Sequence, residues 1–203
     1  MIDTSKKLVL PRKFYIRTVL AVAKDLLGKV IIKTEGKKMF AGKIVEVEAY
    51  DENIDEASHS FKGKTKRNEV MFNTGGYLYV YFTYGAHFCT NVVTGKEGHG
   101  TAVLIRAVEP LAGIDYMIIN RFNRELKSEK ELYNLTSGPG KLSKAFGFDS
   151  SYSGVDLTNS SVFILDQPEL SNKKIGISKR IGITRSVDLP WRFFEIGNPY
   201  LSR

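Results

Sequence analysis

"KVIIKTEGKKMFAGKIVEVEAY", residues 29 to 50, reads as two β-strands folded about a "TEGKK" turn. In its second half, Val45, Val47 and Ala49 fall on one face of a strand, and Glu46, Glu48 and Tyr50 on the other. A polar loop then leads to His59, one of only three histidines. Carboxylates two residues apart on a strand sit roughly 7 Å apart at Cα. That separation suits an acid/base pair acting on a glycosidic bond. It suits equally well two solvent-facing acids on an edge strand.

Reading outward from this stretch, "GYLYVYFTYGAHFCTNVV" (76–93) carries the strongest strand signal, with a turn centred on Gly85. "GTAVLIRAVEP" (100–110) is a further strand, ended by Pro110, and "KIGISKRIGI" and "WRFFEIG" read as late strands. "RTVLAVAKDLLGK" (17–29) has the periodicity of an amphipathic helix stopped by Gly28. "LAGIDYMIINRF" and "GPGKLSKAFGF" read as two more helices, the second opened by Pro139. Strands that follow one another without regular helical crossovers favour an antiparallel α+β fold. The length, 203 residues, suits one domain spanning 1–203.

The composition, 42% apolar and 26% charged, is that of a globular protein, and no run reaches the ~18 apolar residues of a membrane span. The first residues, "MIDTSKKLVLPRK", do not resemble a secretory signal, and a single cysteine, Cys89, excludes an internal disulfide. Together these point to a cytoplasmic protein. The net charge of +8 favours a polyanionic partner. Part of it lies in two runs, "KGKTKRN" (62–68) and "NKKIGISKR" (172–180), each of which also fits a solvated face.

Three further features bear on chemistry. Tyr77, Tyr79 and Tyr81 share a strand face, as half-buried packing or as a wall for a flat ring. Arg106 interrupts an apolar run and calls for an anionic partner. "SGPGK" (137–141) precedes a helix start, where free N–H groups attract anions. There is no GxGxxG, no P-loop and no Cys/His metal spacing. A glycoside hydrolase using both glutamates and a non-catalytic nucleic-acid-binding module both remain open on these residues alone.

"GKIVEVEAYDENIDEASHSFKGKTKRNEVMF", "GYLYVYFTYGAHFCTNVVT", "VLIRAVEP" and "LTSGPGKLSKAFG" resemble, in order, the signature blocks of the alkyladenine (3-methyladenine) DNA glycosylase family. The likeness runs from about Pro11 to the "WRFFEIGNPYLS" tail. It implies a curved antiparallel sheet with a protruding hairpin, and excision of alkylated or deaminated purines from double-stranded DNA. It also implies a monomer with no cofactor and no lyase activity.

Carried over by position, the resemblance makes Glu48 the general base and Arg106 its partner in holding a water, with the carbonyl of Ile181 completing that site. Tyr50, His59, Tyr81 and Asn91 line a pocket for a flipped base. Tyr84 is the wedge that fills the vacated stack, and Arg67 and Lys141 contact phosphates. Glu46 is left as a surface acid or the partner of a nearby base.

Overall fold

The computed structural model describes residues 3, 5, 8–83 and 85–202. Its strands are β1 (Val30–Glu35), β2 (Lys38–Tyr50), β3 (Leu78–Thr83), β4 (His87–Val93), β5 (Ala102–Ala112), β6 (Val162–Leu165), β7 (Ile175–Ser178) and β8 (Arg192–Glu195). The helices are α1 (Arg12–Tyr15), α2 (Val19–Leu26), α3 (Ile114–Phe122), α4 (Glu129–Tyr133) and α5 (Pro139–Phe146). Every strand pairing is antiparallel, as the unbroken strand runs predict. The order is β3-β4-β5-β2-β1-β6, with β8 joined to β2 and β7 beyond it.

The opening stretch forms β1 and β2, but β2 is no edge strand. Its first half lies between β1 and β5, and residues 46–48 lie between β8 and β5. Glu46 and Glu48 are therefore walled on both sides, which overturns the reading of solvent-facing acids. The register of β2 against β5 slips twice in succession. Ile44 faces Val108 and Glu46 faces Ala107, so Val45 is extra in β2; Val47 then faces Ile105, so Arg106 is extra in β5. Bulges bend a sheet and re-aim side chains. These two curl the sheet and turn Arg106 toward the two acids. Pro110 does not end β5. It pairs opposite Gly42 at a third irregularity, where a missing N–H is tolerated, and the strand runs on to Ala112.

α2, α3 and α5 cover one face of the sheet, packing on Ile44, Val47, Ala49, Val103 and Ile105. Lys33, buried in β1, fastens α5: its ammonium donates to the carbonyls of Phe146 (2.9 Å) and Gly147 (3.3 Å), where a cation meets the negative end of the helix. The opposite face carries a smaller cluster of Met71, Phe72, Tyr79, Val93 and Ala102. This second face holds the candidate site. β3 and β4 form the expected hairpin, with Gly85 at φ 65° in its turn, a conformation glycine adopts without strain. Tyr84, assigned as the wedge, lies outside the described residues.

Candidate active site

A cavity of about 500 Å³ opens on the face opposite the helices. Tyr79 and Tyr81 of β3, Cys89 and Asn91 of β4, Leu104 and Arg106 of β5, and Tyr50 at the end of β2 all line it. Strand alternation explains the selection, because Tyr79 and Tyr81, and likewise Leu104 and Arg106, are two apart. His59 and Ile181 enter from loops, and Pro139 brings the start of α5 to the rim.

The aromatic side of the cavity is a packed group. The Tyr79 and Tyr81 rings stack with centroids 5.3 Å apart, and His59 stands edge-on to Tyr81 at 4.4 Å. His59 Nδ1 lies 3.1 Å from the Tyr79 hydroxyl. Partial burial, aided by the nearby Arg67 charge, lowers the His59 pKa below its ordinary value and favours the neutral ring. Burial pushes Tyr79 up to about 12 and Tyr81 higher still, which keeps both phenols protonated. The loop to His59 is held by Asn68, whose amide donates to the carbonyls of His59 (2.7 Å) and Gly63 (3.1 Å). Asn91 donates to the Tyr79 carbonyl at 3.0 Å, which fixes its amide against the β3 side of the cavity.

Behind Tyr50, Arg106 and Ile181 lies Glu48, with no exposed surface. Its Oε1 accepts the Ile181 N–H at 2.7 Å. Its Oε2 accepts the Tyr50 hydroxyl at 2.9 Å and faces Arg106 Nη1 at 3.2 Å. The same Nη1 donates to the Ile181 carbonyl at 3.3 Å. An ionised carboxylate offers about four lone-pair sites, so one on Oε1 is left after these three contacts. Burial opposes the Arg106 charge, but Glu48 and Glu46 outweigh it and hold the guanidinium above its ordinary pKa. Tyr50 is raised well above its ordinary value, first by burial and then by the Glu48 charge.

Glu46 is equally buried and wholly engaged elsewhere. Its Oε1 accepts Arg106 Nε (3.0 Å), Arg192 Nε (2.7 Å) and the Ser202 hydroxyl (2.7 Å), and its Oε2 accepts the Ser202 N–H (2.6 Å). Of the two fates left to this acid by the sequence, partner to a base is the one the fold adopts. A paired role for both glutamates on one substrate is disfavoured, because the Glu46 oxygens are taken up by Arg106, Arg192 and Ser202.

The basic runs behave differently from one another. Lys62, Lys64, Lys66 and Arg67 are exposed, and the Arg67 guanidinium stands 5.8 Å from the Tyr81 centroid at the cavity edge. Lys141, two residues past Pro139, bonds Asn134 Oδ1. In the second run Arg180 is not solvated at all. Its side chain has 0% exposure and pairs with Asp55 at 2.5 Å. The pairing of Asp55 with Arg180 went unmarked in the sequence, since partners 125 positions apart leave no local pattern. Among the described residues no cluster of three or more His, Cys, Asp or Glu is placed to hold a metal. No helix among them is long and apolar enough to cross a membrane.

Residues 13–199 match the family model described as methylpurine-DNA glycosylase. Several relatives carry the name "Putative 3-methyladenine DNA glycosylase". One from Carboxydothermus hydrogenoformans is 48% identical over 97% of this chain and 100% of its own length. One from Alkaliphilus oremlandii is 45% identical over 96% and 98%, and one from Methanoculleus marisnigri 45% over 97% and 100%.

Proposed function

The chain belongs to the methylpurine-DNA glycosylase family, enzymes of DNA repair that hydrolyse N-glycosyl bonds, and from that premise we propose how its own residues do so. A damaged purine, methylated at N3 of adenine or N7 of guanine or deaminated to hypoxanthine, leaves the duplex stack and enters the cavity between Tyr50 and the Tyr79–Tyr81 group. Extrusion costs a few kcal/mol, least for a base that pairs badly. Tyr84, the wedge that the resemblance assigns, fills the vacancy. A methylated purine is cationic and gains from the electron-rich faces of tyrosines that burial keeps protonated. Neutral His59 offers its second ring nitrogen to the base edge, and Asn91 crowds a purine that carries a 2-amino group.

The observation that carries this reading is the convergence on Glu48 of Arg106, the Tyr50 hydroxyl and the Ile181 peptide, at the wall of an aromatic cavity. A water between Arg106, the Ile181 carbonyl and the free lone pair of Glu48 Oε1 is oriented by all three. As the base departs, the sugar gains oxocarbenium character; the carboxylate stabilises that charge and takes the water's proton. The leaving base takes the glycosidic electron pair. A cationic methylpurine needs no proton to depart, whereas hypoxanthine does. Attack by this water leaves the sugar–phosphate strand uncut and an abasic site behind.

Duplexes containing one 7-methylguanine or one hypoxanthine test this directly. Excess enzyme should release the base, and strand breaks should appear only after hot alkali. Breaks without alkali would mean an amine nucleophile; release of neither base would mean a different substrate.

Arg67 stands beside Tyr81 and Lys141 follows two residues after Pro139, and both Tyr81 and Pro139 line the cavity. Replacing Arg67 or Lys141 with Ala should weaken duplex binding and reduce the slope of log K against log salt by about 1. An unchanged slope would remove that residue from the phosphate contacts.

A further inference from the structure

We infer that the buried Asp55–Arg180 pair is a positioning device for Glu48, an inference that rests on the reading of Glu48 as the general base. Arg180 does not line the cavity, yet it joins the elements that hold Glu48. Its guanidinium grips both Asp55 oxygens, Nη1 to Oδ2 at 2.5 Å and Nη2 to Oδ1 at 2.6 Å. Nη1 also donates to the carbonyl of Ala49 (2.9 Å), the residue after Glu48, and Nη2 to that of Ser186 (3.4 Å). Its Cζ lies 4.5 Å from the ring centroid of Tyr50, whose hydroxyl holds Glu48 Oε2. The next residue in the chain is Ile181, whose N–H holds Oε1.

Asp55 anchors the opposite loop. Its Oδ1 accepts the Ala57 N–H at 3.0 Å and its carbonyl the Ser58 N–H at 2.9 Å, which shapes the turn leading to His59. At the surface the same two loops meet again, through Glu56 N–H to Ser186 Oγ (2.9 Å) and Arg185 to Glu56 (3.1 Å). One planar fork thus sets the end of β2, the turn before His59 and the segment 179–186 relative to one another.

Stability alone does not account for this arrangement. A buried ion pair recovers little beyond its desolvation cost, and a well-packed apolar pair can replace it without loss. Arg180 Nε is itself buried without a partner among the described residues. What the pair supplies is geometry: two carboxylate bonds and two carbonyl bonds in one plane, which a lysine ammonium cannot reproduce. A misplacement of about 1 Å at a reacting group can cost about 10²-fold in rate.

The test compares single-turnover excision of 7-methylguanine by the wild type, Arg180→Lys, Asp55→Asn and the paired replacement Asp55→Leu with Arg180→Met. Each variant should excise about 10- to 100-fold more slowly, with duplex affinity held. The apolar pair should keep its Tm and still be slow. In the Glu48→Gln background, Arg180→Lys should slow the residual rate no further, because a residue that acts only through Glu48 has nothing left to position. The proposal is overturned by a wild-type rate in Arg180→Lys or in the paired variant. It is equally overturned by the same slowing in both Glu48 backgrounds, which marks a general structural role. Arg180→Lys keeps a cation against Asp55 and carries the test if the apolar pair does not fold. Failure of the Glu48 reading itself shows separately, as full activity of Glu48→Gln with Arg180 intact.

Discussion

Glu48→Gln should slow single-turnover release of 7-methylguanine from duplex DNA by about 10²–10⁴-fold, the range of a positioned general base, while the protein still binds duplex. The substitution is isosteric. The Ile181 N–H can still donate to the amide oxygen, and the Tyr50 hydroxyl can turn to accept from the new NH₂. What is lost is the charge, with the basicity it gives Oε1, and the Arg106 Nη1 contact to Oε2. Arg106 retains Glu46 as a partner, so the cost in stability should stay near that of one buried hydrogen-bonded group, about 1–3 kcal/mol. Arg67 stands beside Tyr81 and Lys141 bonds Asn134, both apart from Glu48, so affinity and rate should separate. Parallel losses of affinity and rate would mean that Glu48 supports the binding surface. No loss of either would move the chemistry to another group on the cavity wall.

How much of this was legible in the chain depends on whether the determinant was local. The alternation of residues 46–50, the tyrosines of β3 and the Gly85 turn are period-two and turn signals, and the antiparallel sheet follows from them. Helices α2, α3 and α5 were equally plain. The bulges at Val45 and Arg106 were not, because a register slip is a property of two strands at once. Without them Glu46 reads as an acid on an edge strand; with them it lies beneath two guanidinium groups. β6 escaped notice because Val162–Leu165 is a short, uninterrupted apolar run with no polar alternation to mark it as a strand. Arg180 was hidden for a different reason. Its neighbour Lys179 is exposed and pairs with Asp188 at the surface, so the run looks uniformly solvated until the fold brings Asp55 to one member only.

Glu46→Gln should produce the mirror image of Glu48→Gln: a large loss of stability and a small loss of chemistry. Glu46 gathers Arg106, Arg192 and both polar groups of Ser202 on two oxygens. Arg192, its side chain only 12% exposed, loses its carboxylate partner, and Arg106, at 7%, is left with Glu48 as its one carboxylate. Breaking one side of such a buried arrangement costs about 3–5 kcal/mol, a large share of the ~5–15 kcal/mol that holds a domain together. Urea unfolding should show the midpoint falling with little change in slope. Excision per folded molecule should fall far less than in Glu48→Gln, since Arg106 keeps both Glu48 and the Ile181 carbonyl. A stable Glu46→Gln protein that cannot excise would exchange the two roles. Two carboxylates on one strand face would then still divide structure from chemistry, but in the opposite order.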